Sequence, residues 1–218
     1  MMKGAEKRME KEKKDCPLKR SAEVKRLFER IEKLKKEKAV VILGIDGMCG
    51  SGKTTLARLI EDSFQDVVIV HMDDFFLPPE LRSPERYAEP GGNVHYERFR
   101  EEVLAPLMNG EQRISYRRFS CHEMAYLKEP VTAGLREGSI VVIEGSYSLR
   151  PDLRDAYDIR VFTCCDEAVQ LARIEERNGK ERLRDFREKW IPLENRYFES
   201  CHPMESADMV VDTSESAS

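Results

Sequence analysis

The chain has 218 residues, of which 40% are hydrophobic and 36% are charged, so its composition predicts one globular domain with a buried core. The formal net charge of −4 is uneven: residues 1–38 hold 15 Lys and Arg against 8 Asp and Glu, and the remaining residues hold 22 against 33. An acidic main body argues against nucleic-acid binding, which requires a basic face on the folded domain.

The six cysteines, at positions 16, 49, 121, 164, 165 and 201, have no paired spacing that would indicate a zinc site or a disulfide framework. We therefore expect a reducing compartment. No apolar segment follows the charged N-terminus as in a secretory signal, and the longest apolar run of the body, residues 39–43, is too short to cross a bilayer. The sequence thus predicts a cytoplasmic protein without a membrane or nucleic-acid partner.

The N-terminal part differs from the rest of the chain. Residues 1–20 are rich in Lys and Glu and are predicted to be poorly ordered. A helix is predicted from Ser21, which can cap it, because apolar residues follow at helical spacing. They are Val24, Leu27, Phe28, Ile31 and Leu34. We expect this helix to pack on the body, and we divide the chain into a charged, partly helical extension (1–38), a main domain (39–213) and a flexible tail (214–218).

Strands and helices alternate along the main domain. Buried strands are predicted at residues 39–45, 67–71, 139–144, 159–163 and 209–211. Helices are predicted at residues 54–63, 96–109, 166–177 and 181–198, the last interrupted by Pro192. Residues 114–119 and 130–133 are weaker strands that would form a hairpin, and the proline-rich residues 77–93 are predicted to be a loop. The alternation predicts an α/β fold with a central parallel sheet between two layers of helices.

A glycine-rich motif separates the first strand from the next helix. Residues 47–54 match G-x-x-x-x-G-K-[ST] at every defined position. Glycines allow consecutive backbone N–H groups to face phosphate oxygens, and the N-terminus of the following helix adds to the attraction. The strand-to-helix context favours a nucleotide-binding loop over a chance glycine turn. The residues predicted to bind the nucleoside triphosphate are Gly47, Gly50, Ser51, Gly52, Lys53, Thr54 and Thr55.

Many P-loop proteins are not kinases, so other motifs must decide between the classes. The chain has no N-K-x-D sequence of the kind that reads guanine, which argues against a G protein. Its third main strand ends in Ile143-Glu144-Gly145 and not in a D-E pair, which argues against a mechanochemical ATPase. Phosphoryl transfer to a small molecule is the function that remains.

Two carboxylates, Asp73 and Asp74, follow the strand at residues 67–71. The carboxyl edge of a parallel sheet is where ligands bind, so we expect Asp73 to lie at a strand end next to that of the glycine loop. A carboxylate there can accept the proton of an attacking hydroxyl. Phe75 and Phe76 could form an aromatic wall for the substrate. The alternative is a turn-initiating pair of acids followed by two core phenylalanines.

These residues together resemble the uridine kinase family and, more loosely, its nicotinamide riboside, pantothenate and phosphoribulokinase relatives. The resemblance covers residues 40–213, and its two specific motifs are the glycine loop and the Asp73 segment. It implies a nucleoside-kinase-like P-loop NTPase fold, with ATP or another nucleoside triphosphate and Mg²⁺ as cofactors. Supporting stretches are Pro90-Gly91-Gly92-Asn93, Ile143-Glu144-Gly145, residues 173–177 and Ala207-Asp208-Met209-Val210-Val211.

The resemblance also implies roles for single residues. Asp73 takes the position of the general base, and Glu144, with Thr54, that of the magnesium ligands; a capped strand end is the alternative for Glu144. Arg173 and Arg177 lie one turn apart on a helix that the family closes over ATP as a lid. The alternative interpretation is a solvent-exposed helix without a role in the site. Trp190 and Tyr197 are assigned to packing, and Asp46 to capping a backbone turn.

The substrate-binding residues depart from the family pattern. His95 stands where the uridine kinases have an acid that grips the ribose, and imidazole accepts one hydrogen bond where a carboxylate accepts several. Tyr116 and His122 fall near the positions that contact the base. Four arginines are expected near the pocket, which leaves open the hypothesis that the acceptor is anionic. The alternative is that these arginines form surface ion pairs with the acidic body. They are Arg82, Arg86, Arg117 and Arg118.

The sequence therefore leaves three functional hypotheses. The first is a kinase for uridine or cytidine that transfers phosphate to the primary hydroxyl with Asp73 as base. The second is a kinase for another small alcohol, such as a sugar phosphate, pantothenate or another riboside. The third is a nucleotide-dependent regulator that recruits a partner through its basic N-terminus. A homo-oligomer is compatible with each of them.

Overall fold

The computed structural model describes residues 17–214, so the predictions for residues 1–16 and 215–218 lie outside the described residues. Five parallel strands form the central sheet in the order β2-β5-β1-β6-β7, and β3 and β4 form a separate antiparallel pair. This confirms the predicted α/β class. The strands are β1 (Val40–Gly47), β2 (Val67–His71), β3 (Arg113–Ser120), β4 (Ala125–Gly134), β5 (Ser139–Glu144), β6 (Ile159–Cys164) and β7 (Met209–Asp212).

The inner strands β1 and β5 are buried on both faces, whereas the edge strands β2 and β7, predicted to be buried, are mostly half-buried or exposed. Side chains alternate along a strand, so Val141 and Ile143 of β5 enter one apolar cluster while Ile140 and Val142 enter the other. The continuous apolar runs of β1 and β5 follow from this double burial.

Helices cover both faces of the sheet. One face is covered by α1 (Ala22–Leu34) and α2 (Lys53–Ser63), and the other by the helical segments at residues 96–108 and 191–201 and by the β3–β4 hairpin. Within residues 17–214, no helix is long and apolar enough to cross a membrane. The remaining helices are α3 (Pro84–Ala88), α4 (Tyr96–Phe99, Arg100–Leu104 and Ala105–Met108), α5 (Glu167–Asn178), α6 (Lys180–Asp185, Phe186–Trp190 and Ile191–Cys201) and α7 (Pro203–Ser206).

Helix α1 is part of the core, as its apolar stripe predicts. The Ser21 hydroxyl accepts hydrogen bonds from the backbone N–H groups of Glu23 and Val24, and so caps the helix. Leu27 and Ile31 are fully buried against the face that α2 also covers. The expectation that this helix packs on the body is confirmed.

Two predictions for irregular stretches were incomplete. Residues 77–93 were predicted to be a loop but contain a 3₁₀ turn at Pro79–Leu81 and the helix α3. Proline begins each of these segments, where its fixed φ favours a helix start, and the Ser83 hydroxyl caps α3 by accepting from the N–H of Arg86. The predicted hairpin is confirmed, and its strands are longer than the sequence indicated.

Pro192 does not interrupt α6 as predicted. The helix continues through a wide π turn, Phe186–Trp190, directly before Ile191 and Pro192. A similar turn, Arg100–Leu104, precedes Ala105 and Pro106 in α4. Proline lacks an N–H group and clashes with the carbonyl four residues earlier, so a wider turn lets the helix pass the proline without a break.

Candidate active site

The predicted residues meet at the carboxyl edge of the sheet. Glu144 ends β5, the glycine loop follows β1, and Asp73 lies in the 3₁₀ turn Met72–Phe75 after β2. The strand ends were expected to be neighbours, but β5 lies between β2 and β1 because the chain crosses over before returning to the centre of the sheet. The intervening strand brings Glu144 between the base candidate and the loop.

A cleft of about 440 Å³ opens at this edge. It is lined by seven of the predicted site residues. They are Gly50, Lys53, Thr54, Asp73, Phe76, Glu144 and Arg177. The fold therefore brings the glycine loop and the acid after β2 to one cavity, although they are far apart in the sequence.

The glycine loop is held closely between β1 and β6. A Cβ atom at Gly47 would lie 2.1 Å from the backbone oxygen of Thr163, so only glycine fits there. The hydroxyls of Ser51 and Thr163 are hydrogen-bonded at 2.6 Å, and the Ser51 side chain is therefore structural. Gly52 has a φ of 88° at the start of α2, a backbone conformation that glycine allows. Thr55 is exposed on α2 and is not among the residues that line the cleft.

The Lys53 ammonium folds back over the loop. Its Nζ donates to the backbone oxygens of Gly47 and Met48, at 2.7 and 3.0 Å, and to the hydroxyl of Ser146 at 3.3 Å. An ammonium group has three protons, so all of its donors are in use. The charge is thus held at the mouth of the loop, where a phosphate group would lie.

Thr54 and Glu144 present two oxygen ligands side by side. The Thr54 hydroxyl donates to Glu144 Oε1 at 3.1 Å, and His71 Nδ1 contacts the same carboxylate oxygen. This contact raises the pKa of His71. Oxygen donors of this kind suit Mg²⁺, which takes few protein ligands and completes its shell with water and phosphate. Accordingly, residues 17–214 contain no cluster of three or more acidic, His or Cys side chains that would hold a metal unaided.

The two acids after β2 have different surroundings. Asp73 faces the cleft, yet the walls around its carboxylate displace bulk water and raise its pKa; the charge of Glu144 raises it further, and Lys53 opposes both. Asp74 points towards Tyr116, and its Oδ2 is buried without a hydrogen-bond partner among the described residues. Desolvation raises the pKa of Asp74 to about 6.

Phe75 and Phe76 have separate environments. Phe75 is fully buried and packs edge-on against Phe99, with ring centroids 5.2 Å apart, while Phe76 lines the cleft. Tyr116, predicted to touch the substrate, is buried beside Phe75 with ring centroids 5.1 Å apart. Phe75 ends the 3₁₀ turn and Phe76 follows it in extended conformation, and the two side chains point in different directions: one enters the core and the other faces the cavity.

Three further predicted residues do not line the cleft. His95 Nδ1 and the Tyr126 hydroxyl are hydrogen-bonded at 2.8 Å, and His122 is exposed where the hairpin turns. Arg173 donates to Thr213 Oγ1 and to the backbone oxygen of Thr213, both at 2.8 Å, and so fixes the segment after β7 beside the loop. Of the predicted arginine pair on α5, Arg177 is the one that faces the cavity.

Of the four arginines predicted around the pocket, Arg82 lines the cleft. Its Nε donates to the backbone oxygen of Leu77 at 2.8 Å, and no carboxylate of the described residues forms a salt bridge with it. Arg86 is paired with Glu97 at 2.8 Å, and the guanidinium of Arg117 lies over the ring of Tyr126. Arg118 acts on Asp74, whose pKa its charge lowers.

Sequence reasoning missed several residues of the cleft wall. Trp190, which was assigned to packing, lines the cleft, whereas Tyr197 is buried as predicted. Glu194 and Ser146 were not singled out, and neither lies in a recognisable motif. Cys49, Asn93 and Gly145 also line the cleft; they lie in motifs that the sequence analysis quoted, but they were given no role in the site. The other lining residues that were missed are Tyr87, Cys121, Met124, Tyr147, Phe186 and Lys189.

Asp46 caps a backbone turn, as predicted. Its carboxylate is fully buried and accepts from the N–H groups of Gly47, Tyr147 and Leu149 and from the Tyr197 hydroxyl, at distances from 2.7 to 3.1 Å. Burial raises the pKa of Asp46, and these hydrogen bonds oppose the shift. The residue ties the glycine loop to the turn after β5.

The chain is similar to several known kinases in sequence and in fold. The uridine kinase of Clostridium novyi is 30% identical over 152 residues, which cover 66% of this chain and 71% of that protein. A solved structure described as a possible uridine kinase from Bacillus stearothermophilus has a TM-score of 0.62 at 22% identity, over 86% of this chain and 100% of the other. The D-glycerate 3-kinase of Cryptococcus neoformans has a TM-score of 0.56 at 15% identity, over 79% and 87%. No protein-family profile matches the chain.

Proposed function

Because the chain belongs to the uridine kinase-like family of P-loop kinases, we propose that it transfers the γ-phosphoryl group of ATP to the primary hydroxyl of a nucleoside such as uridine or cytidine. The observation that carries this proposal is the meeting of Lys53, Glu144 and Asp73 in one cleft. A hydroxyl bound beside Asp73 would face the phosphate loop across the end of β5. The free cysteines of residues 17–214 suit the cytoplasm, where we place the activity.

Asp73 is the proposed general base. Its raised pKa makes the carboxylate a better proton acceptor than an ordinary aspartate, and the charge of Lys53 favours its ionised form. Lys53 and Arg177 would neutralise the negative charge that develops on the transferred group. Closure of the helix that carries Arg177 over the nucleotide would exclude water from this centre and limit ATP hydrolysis.

The proposed residues for Mg²⁺ are Thr54 and Glu144, because their oxygens lie side by side at the mouth of the loop. The ion, when bound, supplies positive charge that neutralises the phosphate oxygens. Thr54 holds its place on the first turn of α2, and Glu144 is fixed by contacts with Thr54 and His71. The protein would thereby keep both oxygens oriented before the nucleotide arrives.

A second candidate function is the phosphorylation of a small anionic alcohol. Arg82 lines the acceptor end of the cleft without a carboxylate partner among the described residues, and a guanidinium suits a carboxylate or phosphate group. His95, at the position of the ribose-binding acid in the uridine kinases, is instead bonded to Tyr126. One fold neighbour is named as a kinase of D-glycerate, an anionic alcohol.

An acceptor panel separates the two candidates. Purified enzyme with MgATP would be incubated with uridine, cytidine, D-glycerate and a sugar phosphate, and ADP and phosphorylated product would be measured. The nucleoside proposal expects product from uridine or cytidine. Product from an anionic alcohol alone would reject the nucleoside and favour the second candidate, and no product from any alcohol would favour a regulatory protein.

The variant Asp73→Asn tests the assigned base. We expect phosphoryl transfer to fall by about 10²–10⁴-fold, because an amide cannot accept the hydroxyl proton, while ATP affinity is retained. Turnover would be measured with the best acceptor of the panel, and ATP binding by calorimetry. Asp185→Asn, at an exposed position of α6, is the matched control. Unchanged turnover in Asp73→Asn would reject the base.

A further inference from the structure

Glu194 of α6 is a buried acid in the wall of the cleft, with 4% of its surface exposed. Its two carboxylate oxygens contact different parts of the chain. Oε2 accepts from the backbone N–H of Cys49 in the glycine loop at 2.9 Å. Oε1 accepts from the hydroxyl of Ser146, just beyond β5, at 2.5 Å. The side chain therefore connects α6 to both strand ends that hold the nucleotide-binding residues.

This carboxylate has no direct ion pair within residues 17–214, because no Lys or Arg nitrogen lies within salt-bridge distance of it. An ionised group in such a position loses its hydration, an unfavourable change unless hydrogen bonds and nearby charge compensate. Its two hydrogen bonds, from Cys49 and Ser146, supply part of that compensation. Both donors belong to the segments around the phosphate site, so the carboxylate bears directly on the arrangement of the loop.

The link to positive charge passes through Ser146. A serine hydroxyl has one proton, and the short contact assigns that proton to Glu194. The lone pairs of the Ser146 oxygen are then free to accept from Lys53 Nζ, at 3.3 Å. Glu194 thus orients the hydroxyl that holds the lysine, and its other oxygen fixes the N–H of Cys49 in the loop.

We propose that Glu194 is a positioning residue for nucleotide binding, which acts through Ser146 on Lys53 and through Cys49 on the glycine loop. This inference rests on the proposed function only in so far as the cleft binds ATP. The residue keeps the loop and the ammonium in the arrangement that receives the phosphates. It does so from α6, so that the position of this helix and the affinity for ATP are coupled.

Glu194→Gln tests the proposal with little change in shape. The substitution removes the negative charge. The amide oxygen can still accept from Cys49, but the amide nitrogen must donate to Ser146, so the Ser146 hydroxyl becomes the acceptor of this hydrogen bond. We expect the Kd for MgATP, measured by titration calorimetry, to rise about 10-fold, the loss typical of a hydrogen bond to a charged group. Glu199→Gln, exposed on the same helix, should leave the Kd unchanged.

The sign of the change is decisive. If the carboxylate only repelled the phosphates, Glu194→Gln would bind ATP more tightly, and a tighter or unchanged Kd overturns the proposal. Ser146→Ala provides a second test that leaves the acid in place and should also weaken ATP binding about 10-fold. Because both residues act on Lys53 through one hydroxyl, the double variant should be little weaker than either single variant, and full additivity would reject the relay.

These measurements need no acceptor, so they stand apart from the proposed reaction. A wild-type protein that binds MgATP but phosphorylates no alcohol would reject the proposed function and leave the Glu194 result valid. A wild-type protein that does not bind MgATP would reject both. Thermal unfolding of each variant identifies loss of folding, and if Glu194→Gln does not fold, the Kd of Ser146→Ala decides the proposal.

Discussion

The phosphate side and the acceptor side of the cleft take their residues from different kinds of structure. The phosphate side consists of groups at the ends of central strands and on long helices, and most of them are hydrogen-bonded to one another. They are Lys53, Thr54, Glu144, Ser146 and Glu194. The acceptor side comes from short turns and the hairpin, and it consists of Asp73, Phe76, Arg82, Asn93 and Met124.

We propose that the phosphate side provides the chemistry of phosphoryl transfer and that the acceptor side provides the specificity. On the phosphate side each polar group is held by another, so the arrangement exists before a ligand binds. On the acceptor side Arg82 has no carboxylate partner among the described residues, and its neighbours lie in short irregular segments. Such segments can change sequence without disturbing the sheet. We therefore propose that the residues of this side select the acceptor.

Lys53→Ala should produce the largest effect and would break the phosphate side. Loss of a charge aimed at the transferred group is expected to lower turnover by at least about 10²–10³-fold, with weaker nucleotide binding. Lys128→Ala, at an exposed position of β4, serves as control in the same steady-state assay. Equal rates for the two variants would show that the loop does not hold the reacting phosphate.

The pair Phe75→Ala and Phe76→Ala sharpens the division within the acceptor side. Phe75→Ala should lower the free energy of unfolding by about 3–5 kcal/mol, because it empties a fully buried site beside Phe99 and Tyr116. Phe76→Ala should cost about 1 kcal/mol and mainly raise the KM of the acceptor. Urea denaturation and acceptor titrations provide the two readouts. Similar losses of stability would contradict the assignment of the two rings to opposite sides.

The smallest effect concerns Asp74. Its pKa rises from 3.8 to about 6 on folding. Between pH 3.8 and about 6 the folded state therefore binds more protons at Asp74 than the unfolded state, and stability falls as the pH rises through this range. Above about pH 6 the ionised carboxylate destabilises the folded protein. Asp74→Asn should therefore increase the free energy of unfolding by about 1 kcal/mol at pH 7.5, a value reduced by solvent screening. The gain should vanish near pH 4. A gain that is independent of pH would exclude this explanation.

The glycine loop, Asp73 and Glu144 could be predicted because each lies at the end of a continuous apolar run that indicates a strand of a parallel sheet. The different environments of Phe75 and Phe76 could not be predicted, since the sequence does not show which of two adjacent side chains enters the core. Glu194 escaped prediction because its partner Cys49 is 145 positions away. No local pattern reports such a contact. Trp190 was misassigned because an aromatic residue on a helix is more often buried than placed in a cavity.

The wide turn before Pro192 also affects how this region can vary. One additional residue in a helical turn rotates the following part by about 100° relative to the preceding one. Phe186 at the start of the turn and Glu194 after it both line the cleft, and Tyr197 is the buried anchor of the helix. A one-residue deletion or insertion at Phe186–Trp190 would turn the first half of α6 about its axis while the buried anchor stays in place. The helix thus contains a point at which changes in length can alter the ligand-facing surface and spare the core.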